Sequence, residues 1–141
     1  MQENEIKCSF VYGTLRPGYG NARLWFGYAE GEHDGEAVVN GFRLVGHAFP
    51  YAIRDEHSST VGCLVYPRLD TYDYVTDAMD MLEGVPTHYR RIQVPVSTPD
   101  GEVQAWMYEP AAGSNYGHMT PVNTDEQGRY DWRLGLSNQH R

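Results

Sequence analysis

The sequence predicts an α+β domain in which many short strands and one principal helix make a curled, barrel-like sheet. Short β-branched and aromatic runs punctuated by glycine and proline recur along the chain, only one segment carries a sustained helical period, and no internal repeat divides it. At 141 residues the chain fits a single domain, 1–141, large enough to bury a core without disulfide or metal staples.

The elements follow in order. Ser9-Phe10-Val11-Tyr12 has strand character and runs into the loop Gly13-Thr14-Leu15-Arg16-Pro17-Gly18, whose glycines permit turns that other residues resist. Asn21 to Tyr28 places Leu24, Trp25 and Tyr28 at roughly helical spacing, as a short helix or an irregular turn. Glu36 to Val39, Phe42 to Val45 and Tyr51 to Ile53 read as three short strands separated by glycines and Pro50, and Val61 to Tyr66 as a stronger one stopped by Pro67. Asp70 to Leu82 is the convincing helix. Asp70 or Thr71 is placed to cap it, Tyr72, Val75, Met79 and Leu82 form its apolar stripe, and Gly84 and Pro86 end it. Arg91 to Val96 and Val103 to Tyr108 alternate on either side of Thr98-Pro99-Asp100-Gly101, which reads as a hairpin. From about residue 110 the chain reads as a loop-rich tail, the part from Pro110 to Gln127 being rich in Gly, Asn, Thr and Pro.

Composition removes several function classes. A hydrophobic content of 40% with 21% charged residues and no low-complexity run argues for a packed domain over disorder. A net charge of -8 opposes binding to a phosphate backbone, so no nucleic-acid partner is expected. Cys8 and Cys63 sit in apolar strand runs and are expected to be buried free thiols, and the six histidines lack metal-ligand spacing, so neither metal nor cofactor is expected. Met1 to Lys7 is polar and acidic, and no window reaches membrane-spanning length. The expectation is a cytoplasmic chain with no membrane partner, a homodimer being left open.

Two features carry chemistry. The loop after Tyr12 presents backbone N–H groups that attract carboxylate or phosphate oxygens. Glu83 falls where the helix gives way to Gly84-Val85-Pro86. The negative end of the helix dipole and any burial both favour its protonated form, which is how a glutamate becomes a usable base near neutral pH. The plain alternative is a solvated glutamate before a turn.

Taken together, Tyr12-Gly13-Thr14-Leu15-Arg16-Pro17-Gly18, Gly41-Phe42-Arg43-Leu44, Val61-Gly62-Cys63-Leu64-Val65-Tyr66, Leu82-Glu83-Gly84-Val85-Pro86, Tyr89-Arg90-Arg91 and Gln104-Ala105-Trp106-Met107-Tyr108 resemble the gamma-glutamylcyclotransferase-like family in type and order. The resemblance covers about a hundred residues and implies a small mixed β-barrel flanked by helices, with a cavity at the Tyr12–Leu15 end. It implies that the Tyr12-Gly13-Thr14-Leu15 backbone holds the α-carboxylate and α-amine of a γ-glutamyl group and that Glu83 is the general acid/base. The implied reaction closes a 5-oxoproline ring and expels an amine or amino acid, with a small γ-glutamyl molecule as substrate and no cofactor. Arg16 is placed either to neutralise a substrate carboxylate or to pair with an acid of the chain. Tyr89 is placed to hydrogen-bond the substrate or to cap the core. Tyr12, His47 and Tyr51 are read as cavity wall or as packing. His47-Ala48-Phe49-Pro50-Tyr51 departs from the smaller, glycine-rich residues of relatives and is expected to reshape the cavity. The 111–128 tail is expected to form a lid or partner surface, and Asp131-Trp132 a docking anchor.

Three other readings compete. A nucleotide cradle lacks GxxxxGK[ST] and GxGxxG, and a serine or cysteine hydrolase lacks the GxSxG elbow and a thiol at a helix start. A non-catalytic member of the same fold, binding a small acidic molecule or a protein through the same cavity, is the serious competitor.

Overall fold

The computed structural model of the chain describes residues 6–111 and 116–137. Its strands are β1 (Ser9–Val11), β2 (Ala29–Gly46), β3 (Pro50–Pro67), β4 (Tyr89–Thr98), β5 (Gly101–Pro110) and β6 (Thr120–Pro121), and its α-helix is α1 (Tyr72–Glu83). The order β3-β1-β5-β4-β2 closes because β2 pairs back onto β3. The result is a five-stranded barrel, with β6 attached to the end of β2 at Val45 and Gly46. Every pairing is antiparallel except β1 with β5, which makes the barrel mixed. Among the described residues no helix is long and apolar enough to cross a membrane.

The hairpin after the helix forms as the turn chemistry predicts, with Tyr89 opposite Pro110 and Thr98 opposite Gly101. The middle of the chain differs. Glu36–Val39 and Phe42–Val45 are parts of the single long strand β2, and Tyr51–Ile53 is the beginning of β3. Gly35 and Gly41, at φ of +83° and +91°, lie where the β2–β3 register shifts, so they bend the strand as bulges instead of ending it. Asn21 to Tyr28 is the irregular alternative, a 3₁₀ turn over Gly20–Leu24.

The helix begins two residues later than expected, after a 3₁₀ turn at Leu69–Thr71, and has no side-chain cap. The Thr71 hydroxyl instead donates to the carbonyls of Tyr28 and Arg68, tying the helix start to the end of the first crossover. Val75 and Met79 are fully buried, as the stripe predicts, whereas Leu82 is 45% exposed and leaves the core for a different task. Gly84 closes the helix in the left-handed conformation at φ +69°, its N–H reaching the Asp80 and Met81 carbonyls.

Alternating residues of the closed barrel sort into two apolar clusters. One, built on Phe10, Leu44, Leu64 and Met107, fills the barrel. The other, built on Val11, Trp25, Val65, Val75 and Met79, lies between the barrel wall and α1. Cys8 and Cys63 are free and buried, and burial pushes their thiols up to about 11 and about 12. Among the described residues no cluster of His, Cys, Asp and Glu is placed to hold a metal ion.

Candidate active site

Strand β1 delivers Tyr12 and the loop behind it to the rim of the barrel, and α1 ends beside them. Between the two lies a cavity of about 200 Å³ whose wall includes Tyr12, Gly13, Thr14, Leu15, Glu83 and Tyr89. These residues come from both ends of the sequence motif set, and the fold brings them onto one hollow.

The loop is held from behind. Gly13 has no Cβ because the Pro50 ring is packed against it: a Cβ there would lie 2.4 Å from Pro50 Cγ. The Leu15 carbonyl accepts a hydrogen bond at 2.8 Å from the indole N–H of Trp25, which is wholly buried. The Thr14 hydroxyl accepts from the Asn21 amide at 2.8 Å, leaving its own proton available to the cavity. The loop's internal turn is closed by the Arg16 N–H to the Gly13 carbonyl, while the N–H groups of Gly13, Thr14 and Leu15 find no acceptor among the described residues. A row of open donors beside a hollow is an anion cradle.

Glu83 is half-buried on the opposite wall, and no described residue donates a hydrogen bond to its carboxylate. Loss of water around it is what raises its pKa, to about 7. The carboxyl faces several tyrosines. Burial and, after it, the charge of Glu83 push up the hydroxyl of Tyr12, and Glu83 adds to the same effect on Tyr51, Tyr89 and Tyr108. Those hydroxyls are committed elsewhere: Tyr89 donates to the Pro50 carbonyl at 2.8 Å, Tyr12 to the Tyr108 carbonyl, and Tyr108 to Asp80 at 2.7 Å. Tyr89 therefore builds the wall by buttressing Pro50, and through Pro50 it supports Gly13.

Arg16 does not take the substrate-facing position. Its side chain is 1% exposed, outside the cavity wall, and is clamped between Asp34 (2.9 Å) and Asp131 (2.7 Å). Burial pulls its pKa down, and the two carboxylates outweigh that and hold it above the ordinary value. Asp131 also accepts the Arg133 N–H, and Arg133 reaches back to Asp34 and to the Pro17 carbonyl. Asp131 is thus an anchor for the chain's own first loop, and Trp132 packs against the barrel core. Of the 111–128 tail, residues 112–115 lie outside the described residues; Tyr116 stacks on Tyr51 with ring centres 4.2 Å apart.

His47 is exposed and is absent from the cavity wall, and Tyr51, also absent from it, stacks on Tyr89. Phe49 and Pro50, of the stretch expected to reshape the cavity, do line it, and Asn21, His88 and Tyr108, not singled out in the sequence as cavity residues, add to the wall. His88 is brought there by a tight turn in which its N–H bonds the Gly84 carbonyl at 2.8 Å. Its adjacency to Tyr89 was the only local signal.

The family model for gamma-glutamyl cyclotransferase, AIG2-like proteins matches residues 9–133, nearly the whole chain. The chain belongs to the gamma-glutamyl cyclotransferase, AIG2-like family. A protein of Methanocaldococcus jannaschii named a putative gamma-glutamylcyclotransferase is 29% identical over 100 residues, covering 70% of this chain and 80% of that one. The crystal structure of an AIG2-like protein from Mus musculus superposes with a TM-score of 0.62 at 18% identity, over 97% of this chain and 99% of its own. An uncharacterized protein from Pyrococcus horikoshii superposes with a TM-score of 0.55 at 22% identity, over 89% and 90%. These likenesses fix the gamma-glutamyl cyclotransferase fold of the chain.

Proposed function

We propose that the chain is a γ-glutamyl cyclotransferase that converts a γ-glutamyl amide or γ-glutamyl amino acid into 5-oxoproline and a free amine, with Glu83 as general acid/base. The observation that carries this reading is a carboxyl group with a pKa near 7 and no hydrogen-bonded partner, across a small hollow from unpaired main-chain donors.

The reaction asks for little else. Glu83, as carboxylate, removes one proton from the substrate's α-ammonium. The freed amine attacks the γ-carbonyl carbon within the same molecule, so the protein's main task is to hold the chain folded. Such preorganisation is worth up to about 7–11 kcal/mol. The N–H groups of Gly13, Thr14 and Leu15 hold the anionic oxygens, the α-carboxylate and the oxygen that gains charge as the γ-carbon becomes tetrahedral. Collapse breaks the bond from the γ-carbon to the leaving nitrogen. Glu83 returns its proton to that nitrogen, the ring nitrogen sheds its second proton, and the released amine takes up its last from water. A pKa near the working pH suits both halves of that exchange.

Purified protein incubated with γ-glutamyl amides and γ-glutamyl amino acids is expected to release 5-oxoproline from at least one, and Glu83→Gln to lose about 10²- to 10⁴-fold in kcat/KM. Equal turnover by Glu83→Gln removes the carboxylate from the mechanism. Saturable cavity binding with no turnover of any substrate assigns the chain to the non-catalytic reading.

A further inference from the structure

The wall of the cavity divides by exposure into a floor and a mouth. Tyr12, Leu15 and Tyr89 are buried, whereas Phe49 is 55% and Leu82 45% exposed. Phe49 projects from the β2–β3 turn and Leu82 from the last turn of α1, next to Glu83, so the two large apolar side chains come from different elements and border the same opening. At about 200 Å³ the hollow is smaller than the ~300–1,000 Å³ of pockets that enclose a whole drug-sized ligand. That volume suits the γ-glutamyl part of the proposed substrate better than the whole of a long amide.

Ring closure brings the α-nitrogen onto the γ-carbon, so the entire glutamyl part folds inward over the open N–H groups. The leaving nitrogen then has one direction free, outward past Glu83, and whatever it carries lies on the mouth. Among the described residues that line the cavity none is Lys or Arg, and Glu83 is the sole carboxylate. A carboxylate on the leaving group meets no fixed cation there, and an ammonium competes with the substrate's own α-ammonium for Glu83. A neutral hydrocarbon chain meets Phe49 and Leu82.

We infer that Phe49 and Leu82 form a leaving-group subsite, so that the chain prefers γ-glutamyl amides of neutral alkyl amines over those whose amine part is charged. The inference rests on the cyclisation proposed above and names its substrate class. The test is a set of three amides of matched length: γ-glutamyl-n-butylamide, γ-glutamylputrescine and γ-glutamyl-4-aminobutyrate, with the methyl, ethyl and propyl amides as a length series, all read as 5-oxoproline release. The butylamide is expected to exceed both charged amides at least tenfold in kcat/KM. The length series is expected to rise about two- to fourfold per methylene, as partial burial of each added group dictates. Phe49→Ser, a substitution at an exposed position, is expected to flatten that rise.

Equal kcat/KM for the three matched amides overturns the inference and leaves the cyclisation standing, as does an unchanged length series in Phe49→Ser. A preference for the carboxylate-bearing amide also overturns it, and gives the mouth to His88, the imidazole of the same wall. Should the protein release 5-oxoproline from none of them, the cyclisation is withdrawn. Calorimetric binding of the same three amides then decides whether the mouth favours the neutral chain.

Discussion

Glu83 is a destabilising residue by the same physics that fits it for proton transfer. Its pKa is raised to about 7 by loss of water, so between the ordinary carboxylate value and 7 the folded protein binds more protons than the unfolded chain. Stability from this group is therefore fully present below the unfolded value and is lost as pH rises through about 7, by at most about 3 kcal/mol. Glu83→Gln is expected to melt at a higher temperature than the parent at pH 8 and at nearly the same temperature at pH 4.5, in thermal scans of the two proteins side by side. In the parent, kcat/KM is expected to climb with pH and level off above 7, since the free enzyme must present the carboxylate. A flat stability difference across that range contradicts the burial of the charge. The position of Glu83, last in a periodic helix before Gly84, was legible in the sequence because that signal is local, whereas the burial that raises its pKa comes from the fold. Arg16 was only half legible. Its sequence neighbours say nothing about Asp131, which lies 115 positions away, so whether it faced substrate or an acid of the chain had to be decided by the fold.

The first loop, as an element, is built from contacts that arrive from three directions: Pro50 from the β2–β3 turn, Trp25 from the crossover, and Asp34 with Asp131 around Arg16. Gly13→Ala is expected to push the loop off Pro50 and cost about 10²-fold in kcat/KM, the scale of a misplacement of roughly 1 Å, with a modest fall in melting temperature. Asp131→Asn keeps the volume and removes one of the two charges on a buried guanidinium. It is expected to cost about 1–3 kcal/mol in denaturant unfolding. Arg16→Lys is expected not to rescue Arg16→Met, because a point charge does not span two carboxylates as the planar fork does. At this scale the sequence read the β4–β5 hairpin and α1 well, since a turn tetrad and a 3.6-residue period are local signals. It divided β2 too finely. Gly35 and Gly41 look like breaks in a linear reading, and only pairing with β3 turns them into bulges within a continuous strand.

Closure of the whole molecule depends on segments distant in sequence. β1 is three residues long and still joins β3 to β5, and the last described stretch returns to cover the same region. There the Tyr130 N–H and carbonyl bond Ser59 and Val61 on β3, Val122 enters the barrel core, and Asp131 reaches Arg16. The sequence offered that stretch as a loop-rich tail because Gly, Asn and Pro mark irregular backbone equally well in a free end and in a strap. The strap's stabilising contacts fall on β2, β3 and the first loop, whereas the β4–β5 hairpin is closed by its own ladder. A chain ending at Pro121 is therefore expected to lose protection unevenly. Amide exchange at Arg16, whose N–H is bonded to the Gly13 carbonyl, should quicken by at least tenfold and kcat/KM should fall with it, while the Val94 and Val96 amides, in the middle of β4, keep most of theirs. Uniform quickening across the hairpin and the loop would mean that the strap holds the barrel as a whole, and unchanged exchange at the loop would mean that Asp34 alone suffices for Arg16. The uneven result follows from the geometry because the strap touches the first loop through the Arg16 guanidinium and the Pro17 carbonyl and the barrel through β2 and β3, none of which is the hairpin.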